Sequence, residues 1–306
     1  MAVDCVRAVG VSLVGQVLCA LEEPLRSKQP SSVCTQLAGL VAAIYKDLTV
    51  RGMQASGIGI GLPGVFDERN GLVWFAPNLG WRQVKLLPQI SAALSAAGVP
   101  ELPLHLQNEA DTGALSEYEF ATNENQDALI FVACDIGVGA GIVLNDRLFT
   151  GVQGMAGEIG HSILQIDGPL CSCGRYGCAE TFIGAGALAR EMADTGRLDR
   201  AGRYLGVLLH NLWTTFSPGL MVLGGASCVY HPELVRIATE TLATQVQRAG
   251  MAAPQVRAAR YGLLASAVGA AALVLHHYLR PMHPRGAPAI ELQAGDVLDA
   301  PHHAMA

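Results

Sequence analysis

Charged and aromatic residues are scarce in this sequence, and no export signal stands out. Only 15% of the 306 residues are charged and 6% are aromatic, and the 20 lysines and arginines are outnumbered by 26 aspartates and glutamates. The formal charge of -6 disfavours a polyanionic partner, and nucleic acid above all. Near the N-terminus, Asp4 and Arg7 interrupt the apolar residues, which excludes a signal peptide and predicts a soluble, cytoplasmic protein without a membrane partner.

Long hydrophobic runs are missing as well. The most continuous apolar stretch, residues 261–275, is too short for a bilayer span and rich in alanine and glycine, so it predicts a buried helix. Hydrophobic residues still make up 51% of the chain, which is enough to bury a core and excludes global disorder. The length suits two lobes or one large α/β domain.

Glycine-rich strands alternate with helical patterns along the first third of the chain. Residues 9–19 fit a hairpin strand, and Ser31 or Ser32 could cap a helix with apolar residues at helical spacing. A strand then runs into a glycine turn at 57–64. Strand, helix and strand together suggest a βαβ unit.

The later part of the chain continues this alternation. Residues 128–134 and 141–144 predict two short strands joined by a glycine-rich bend. A further buried strand at 220–223 ends in Gly224 and Gly225 and leads to a helix after Pro232. The pattern as a whole predicts an α/β protein.

The eight cysteines are distributed unevenly. Three of them stand in one glycine-containing loop shortly after His161, and five are scattered singly and predict core thiols: Cys5, Cys19, Cys34, Cys134 and Cys228. This distribution indicates an intracellular metal site rather than a disulfide framework. Thiolates and an imidazole are ligands of structural zinc, so we predict Zn²⁺ bound by His161, Cys171, Cys173 and Cys178. The alternative is three reduced, buried thiols beside an unrelated histidine.

The same segment resembles the signature of a known family. Gly157-Glu-Ile-Gly-His161, followed by Cys171-x-Cys-Gly-x-x-Gly-Cys178-Ala-Glu180, resembles the ROK family of sugar kinases and sugar-responsive repressors. Weaker matches run along nearly the whole chain: Gly61-Leu-Pro-Gly64, Ala76-Pro-Asn-Leu-Gly-Trp81, Asn108-Glu109-Ala110, the glycines of 137–141, and Leu223-Gly-Gly225. The resemblance implies an α/β fold of the actin-like ATPase (ribonuclease H-like) type, with two lobes and an interlobe cleft that binds a sugar.

The resemblance also implies a domain organisation and a set of sugar-binding residues. Residues 1–107 would form the smaller lobe, joined by a returning helix at about 264–280. Residues 108–263 would form the larger lobe with the zinc knuckle, and 281–306 a mobile tail. The implied sugar-binding residues are Gly64, Asn78, Asn108, Glu109, Glu158, His161 and Glu180. Amide and carboxylate groups suit a sugar, because its hydroxyls need paired donors and acceptors. The alternative is that the carboxylates are solvated and that Asn78 forms a turn.

Three departures from the kinase pattern affect catalysis and nucleotide binding. In the kinases that this chain resembles, the catalytic base is an aspartate that follows the asparagine. This chain has Glu109 at that position, and its extra methylene shifts the carboxylate oxygens by about an ångström. The Gly-Gly-Thr phosphate loop expected after Asp4 is absent. Asp135 and Ile136 replace a Gly-Thr pair, and a carboxylate there repels nucleotide phosphates unless a metal intervenes.

Several glycines remain where the resemblance implies a nucleotide. They are Gly137, Gly139, Gly224 and Gly225. For the glycines of 137–141, a strand-to-strand bend that needs positive φ is a sufficient alternative explanation.

These observations favour a ROK-type sugar-sensing transcriptional regulator module that binds a sugar, holds structural Zn²⁺ and does not transfer phosphate. The enzyme alternative is an ATP-dependent hexose or N-acyl-hexosamine kinase that uses Glu109 as general base with ATP and Mg²⁺. A scaffold with a vestigial cleft is a third alternative. The family resemblance implies a homodimer. No helix-turn-helix precedes the sugar-binding module, so we expect DNA contact only through a headpiece absent from this chain. A trimmed sequence, a partner-dependent regulator or a degenerating paralogue would each explain that absence.

Overall fold

The computed structural model describes residues 1–68, 70–120 and 128–279. The tail predicted at 281–306 lies outside the described residues, and the predicted lobe boundaries stay predictions. Within the described ranges the elements follow in this order: β1 (Cys5–Val11), β2 (Val17–Pro24), α1 (Pro30–Val50), β3 (Ile58–Leu62), β4 (Val65–Asp67), β5 (Leu72–Ala76), β6 (Trp81–Lys85), α2 (Leu87–Ala96), β7 (Leu104–Asn108), α3 (Glu109–Glu119), β8 (Ala128–Cys134), β9 (Val138–Leu144), β10 (Arg147–Leu148), α4 (Glu180–Ile183), α5 (Ala185–Thr195), α6 (Asp199–Phe216), β11 (Leu220–Gly224), α7 (Ala226–Tyr230), α8 (Pro232–Arg248), β12 (Gln255–Ala258) and α9 (Ala265–Leu279).

The first strands form the predicted hairpin, but the next pairing differs from the prediction. Strands β1 and β2 pair antiparallel, whereas β3 pairs in parallel with β7 instead of completing a βαβ sheet with β1 or β2. The predicted cap at Ser31 or Ser32 is wrong as well. Helix α1 begins at Pro30 after Gln29, and no side chain caps it. Proline at the first helical position removes one of the amide hydrogens that the start of a helix leaves without an intrahelical acceptor.

A hydrophobic core lies beneath these N-terminal elements. Helix α1 buries Val33 and Leu37 in it, together with Leu62, Ile90 and Leu106 from the neighbouring strands and α2. One of the five predicted core thiols lies outside such a core. Cys5, Cys34, Cys134 and Cys228 are buried, but Cys19 is partly exposed. Strand β2 lies at the edge of a two-stranded sheet, which leaves its side chains half covered.

A five-stranded sheet, ordered β10-β9-β8-β11-β12, organises the second half of the chain. Strands β8, β11 and β12 are parallel, and β9 and β10 add to the edge as antiparallel strands. Strand β9 begins at Val138, earlier than predicted, because it keeps pairing with β8 up to the turn at 135–137. The short helix α7 between β11 and α8 was not predicted. Helices α5, α6 and α8 cover one face and bury Leu188, Leu205 and Leu242.

The last helix, α9, packs closely against α3 and β3. The approach is so tight that a Cβ atom on Gly269 would lie 1.5 Å from the Thr112 carbonyl oxygen, and one on Gly59 would lie 1.6 Å from that of Ala270. The buried helix predicted at 261–275 is therefore confirmed. Two helices, Pro30–Val50 and Gly262–Leu279, are long and apolar enough by length and composition to cross a membrane. Both bury part of their apolar side chains in the core, although Val50 and Leu279 are exposed.

Candidate functional site

Four side chains of the cysteine loop come together as predicted. The ligand atoms of His161, Cys171, Cys173 and Cys178 all lie within 4.8 Å of one another. The Sγ atoms of Cys173 and Cys178 are 3.7 Å apart, and so are Cys171 Sγ and His161 Nδ1. A tetrahedral zinc ion with Zn–S bonds of about 2.3 Å and Zn–N bonds of about 2.0 Å separates two thiolates by about 3.8 Å and a thiolate and an imidazole by about 3.5 Å. The donor set and its spacing therefore fit a tetrahedral metal ion.

Glycine and backbone hydrogen bonds fold this loop around the cluster. Gly177 has φ +70° and its amide donates to Pro169, while a Cβ there would lie 1.6 Å from the carbonyl oxygen of Gln165. The amide of Cys171 donates to the carbonyl of Arg175, which closes the turn that carries Cys173. Only glycine permits both the left-handed conformation and the close approach at position 177.

The thiol of Cys173 is prepared for metal binding by its surroundings. Desolvation raises its pKa, but hydrogen bonds from the side chain and backbone of Arg175 and from the other two cysteines outweigh that effect and lower the pKa to about 6. Arg175 Nε lies 3.4 Å from Cys173 Sγ. A metal is bound by the thiolate, so this residue is largely in its ligand form at neutral pH.

His161 connects the cysteine cluster to the first of the predicted sugar-binding carboxylates. Its Nδ1 faces Cys171, and its Nε2 lies 4.0 Å from Oε2 of Glu158. Burial raises the pKa of Glu158, His161 lowers it, and the nearby Glu180 raises it further. Fixing the ring by metal coordination would therefore also fix the charge beside Glu158.

Glu180 begins α4 directly after the cysteine loop and lies against Gly137. Its Oε2 accepts a hydrogen bond from the amide of Val138 at 3.3 Å, and a Cβ on Gly137 would lie only 2.7 Å from the same oxygen. The side-chain amide of Asn78 lies 4.0 Å from that same Cβ position. The structure thus brings Asn78, Gly137 and Glu180 to one place, from three segments far apart in sequence.

Asn108 has a structural role that sequence reasoning did not identify. Its Oδ1 accepts from the amide of Ala110 at 2.7 Å and caps α3, while its Nδ2 donates to the carbonyl of Gly64 at 2.8 Å. Gly64 has φ +121°, and a Cβ there would meet the carbonyl oxygen of Phe75 at 2.7 Å. Asn108 therefore holds the glycine turn against the start of α3, where Glu109 follows.

Lys28 is a second residue that sequence reasoning missed. Its Nζ donates to the carbonyl of Asn78 at 2.8 Å, and its own carbonyl accepts from Trp81 Nε1 at 2.6 Å. Lys28 thus holds the segment from Asn78 to Trp81 in place through both hydrogen bonds. No local signal in the sequence identifies it, because it lies in the connection before α1.

Glu109 and Asp135 line one pocket together with Arg7 and Gly225. The pKa of Glu109 is raised to about 7, chiefly by burial; the N-terminal ammonium lowers it, and Asp135, Asp4 and Glu158 contribute to the rise. A buried carboxyl group two residues on, Asp111, has a pKa raised well above its usual value by burial and by Glu68 and Glu158. A carboxyl group with a pKa near 7 can accept a proton at physiological pH.

Asp135 accepts a backbone hydrogen bond at the turn that contains Gly224 and Gly225. Its Oδ1 accepts a hydrogen bond from the amide of Ala226 at 2.5 Å, and its Oδ2 would lie 2.7 Å from a Cβ on Gly225. Burial raises the pKa of Asp135, the hydrogen bond from Ala226 and the Arg7 guanidinium lower it, and Asp4 raises it. The backbone donor at this turn is therefore taken by a carboxylate of the chain itself.

The glycines of 137–141 are explained by close approach rather than by the positive φ considered above. Gly137, Gly139 and Gly141 do not have positive φ. A Cβ on Gly141 would lie 2.2 Å from the carbonyl of Ala110, and Gly139 faces the same helix with more room. Gly224 packs against the ring of Phe131 and does not itself line the pocket that Gly225 lines. Of the four glycines predicted to border a nucleotide, Gly225 lies beside Asp135 and Glu109.

A model of the ROK family matches residues 19–199. The chain belongs to the ROK family. Over 298 residues it is 27% identical to the xylose repressor of Bacillus subtilis (strain 168), covering 90% of this chain and 76% of the repressor. Over 135 residues it is 36% identical to the glucokinase of Halalkalibacterium halodurans, covering 44% of this chain and 39% of that enzyme.

The ROK hexokinase from Thermus thermophilus has a similar structure, with a TM-score of 0.72 and 26% identity over 91% of this chain and 96% of the hexokinase. This ROK protein has the actin-like ATPase fold, as predicted from the motifs. The relatives thus include both a repressor and kinases, so the function has to be argued from the residues of the cleft.

Proposed function

We propose that this chain is a sugar-sensing regulator module that binds a sugar beside the metal cluster and does not transfer phosphate. The relatives that carry the argument are named as a xylose repressor, a glucokinase and a hexokinase, so a neutral sugar is the ligand class common to them. The residues around Glu109 support a regulator rather than a kinase.

The hydrogen bond between Asp135 and Ala226 is the observation that carries this proposal. In the kinase pattern of the family, the glycine turns at 137 and 225 would border the nucleotide. Here Asp135 accepts the Ala226 amide at 2.5 Å and presents a carboxylate at Gly225. The residues present do not fit a phosphate group, because an anion would meet a like charge and would find its backbone donor already occupied.

Sugar binding is supported because several of the predicted sugar-binding residues lie close together. Asn78 and Glu180 approach the same point, while Glu158 lies beside His161 of the metal cluster. Amide and carboxylate groups from separate segments are what a polyhydroxylated ligand requires. A sugar that contacts groups from separate segments can shift the population toward the arrangement in which all of them touch it, and that shift is the signal a regulator needs.

The kinase alternative keeps one specific observation in its favour. The pKa of Glu109 is raised to about 7, which suits a general base. In this reading ATP brings Mg²⁺, and Glu109 accepts the proton of the sugar hydroxyl. It requires a nucleotide to bind beside Asp135.

A sugar panel read by thermal denaturation tests the proposal. We expect xylose, glucose or an N-acyl-hexosamine to raise the Tm of the wild-type chain, and Mg²⁺ with an ATP analogue to leave it unchanged. Glu180→Gln should remove the sugar-dependent shift, while Glu101→Gln, an exposed residue away from the site, should retain it. Stabilisation by no sugar, or equal stabilisation of wild type and Glu180→Gln, would contradict the proposed site. Zinc as the ion, a homodimer and a cytoplasmic location belong to the same proposal.

A further inference from the structure

A second group of metal-ligating side chains lies apart from the cysteine cluster. Glu68 follows β4, His105 stands in β7, and His277 lies in the last turns of α9. One ligand atom from each of these residues lies within 4.8 Å of the other two. None of these side chains has a role in the sugar site, and no motif of the sequence analysis includes them.

The three side chains already contact one another. His277 Nε2 lies 2.5 Å from Oε1 of Glu68, and the rings of His105 and His277 are stacked with centroids 4.3 Å apart and planes 18° from parallel. A metal with bonds of about 2.0 to 2.2 Å needs its ligand atoms roughly 3.3 Å apart. The two rings would have to tilt away from their stacked arrangement to direct both nitrogens at one ion, because an imidazole nitrogen binds a metal in the plane of its ring.

The surroundings suit an exchangeable ion. The side chains of His277 and Glu68 are 18% and 23% exposed, so an ion can reach them from solvent and keep water as a further ligand. Burial lowers the pKa of His105 and the neighbouring His277 lowers it further, while Glu68 opposes this. The neutral imidazole is the form that binds metal.

We propose that Glu68, His105 and His277 form a second transition-metal site, independent of the cysteine cluster. Two imidazoles and one carboxylate bind Zn²⁺, Co²⁺, Ni²⁺ or Fe²⁺, and they leave positions open for water. The ion replaces the hydrogen bond between Glu68 and His277 and ties the end of α9 to β7 and to the segment after β4. The cysteine cluster differs in kind, because four protein ligands close it.

Zinc content and cobalt spectra distinguish the two metal sites in the 306-residue chain. After equilibrium dialysis against micromolar Zn²⁺, we expect two equivalents in wild type, one in His105→Ala and one in His277→Ala. A mercurial reagent that reacts with thiols should release one equivalent from wild type and leave one bound. With Co²⁺, the thiolate charge-transfer bands should persist in both histidine variants, which also reports that their cysteine loop is folded.

His231→Ala is the matched control. His231 forms a comparable pair with Glu233, with 3.3 Å between Nδ1 and Oε1, and belongs to neither ligand cluster found among the described residues. This variant should keep two equivalents. One equivalent in wild type, all of it released by the mercurial reagent, would overturn the second site. Unchanged zinc content in both His105→Ala and His277→Ala would overturn it as well.

Discussion

Replacing Asp135 by asparagine should allow the chain to bind ATP. The Asp135 carboxylate accepts the Ala226 amide and lies against Gly225, beside the pocket that contains Glu109. Asparagine keeps the size of the side chain and an oxygen that can accept the same hydrogen bond, but it removes the negative charge. The substitution therefore tests the charge without reshaping the turn.

The size of the effect follows from the separation of the charges. Two unit charges about 4 Å apart interact by about 4 kcal/mol at an effective dielectric constant of about 20. Screening by the partly open cleft reduces this, and each 1.4 kcal/mol is tenfold in affinity, so the gain should be about a hundredfold. Because burial raises the pKa of Asp135, wild type should also bind ATP better as the pH falls.

Titration calorimetry with Mg²⁺ and a non-hydrolysable ATP analogue measures this directly. We expect weak or undetectable binding by wild type and by the surface control Glu101→Gln, and clear binding by Asp135→Asn. Binding should depend less on pH in the variant than in wild type, because only Glu109 of the two carboxyl groups in the pocket still titrates. If wild type and Asp135→Asn bind the analogue equally, the carboxylate does not exclude phosphate and the reasoning fails.

Three further predictions concern the metal loop, the sugar site and pH. Cys173→Ser should reduce the metal content of the cysteine loop below half an equivalent and lower the Tm, whereas Cys19→Ser should keep the metal. Gly137→Ala places a Cβ 2.7 Å from the Glu180 carboxylate and should weaken sugar binding about tenfold, by about 1.4 kcal/mol, whereas Gly139→Ala has room and should not. Because the pKa of Glu109 is raised from 4.5 to about 7, its carboxyl group is most favourable to folding below pH 4.5, and this contribution is lost as the pH rises to 7. By this linkage, the free energy of unfolding of Glu109→Gln, measured with urea, should rise relative to that of wild type by up to about 3 kcal/mol between pH 4.5 and 7.5. A difference between the two that does not change with pH would refute this prediction.

The features that sequence predicts well here depend on short spacings. The metal ligands lie between His161 and Cys178, so their chemistry and their glycines are visible in one stretch. The first hairpin and the helix at 261–275 follow from local apolar patterning. Each of these elements is specified by neighbouring residues, and the structure agrees with the prediction.

The features that sequence does not predict depend on contacts between distant segments. Asp135 is visible as a departure from the kinase pattern, but its bond to Ala226 spans 91 residues. The pairing of β3 with β7 depends on tertiary packing rather than on chain order. From sequence alone Gly137 is interpreted as a turn glycine, whereas in the structure it packs against Glu180 at the start of α4. The Glu68, His105 and His277 group has no sequence signal, because three separate elements supply its members.

The most direct test of the central claim is ADP release by the purified wild-type chain with Mg²⁺-ATP and a sugar that raises its Tm. The account predicts stabilisation by the sugar with no sugar-dependent ADP release. Sugar-dependent ADP release that Glu109→Gln abolishes would contradict it and establish the chain as a kinase.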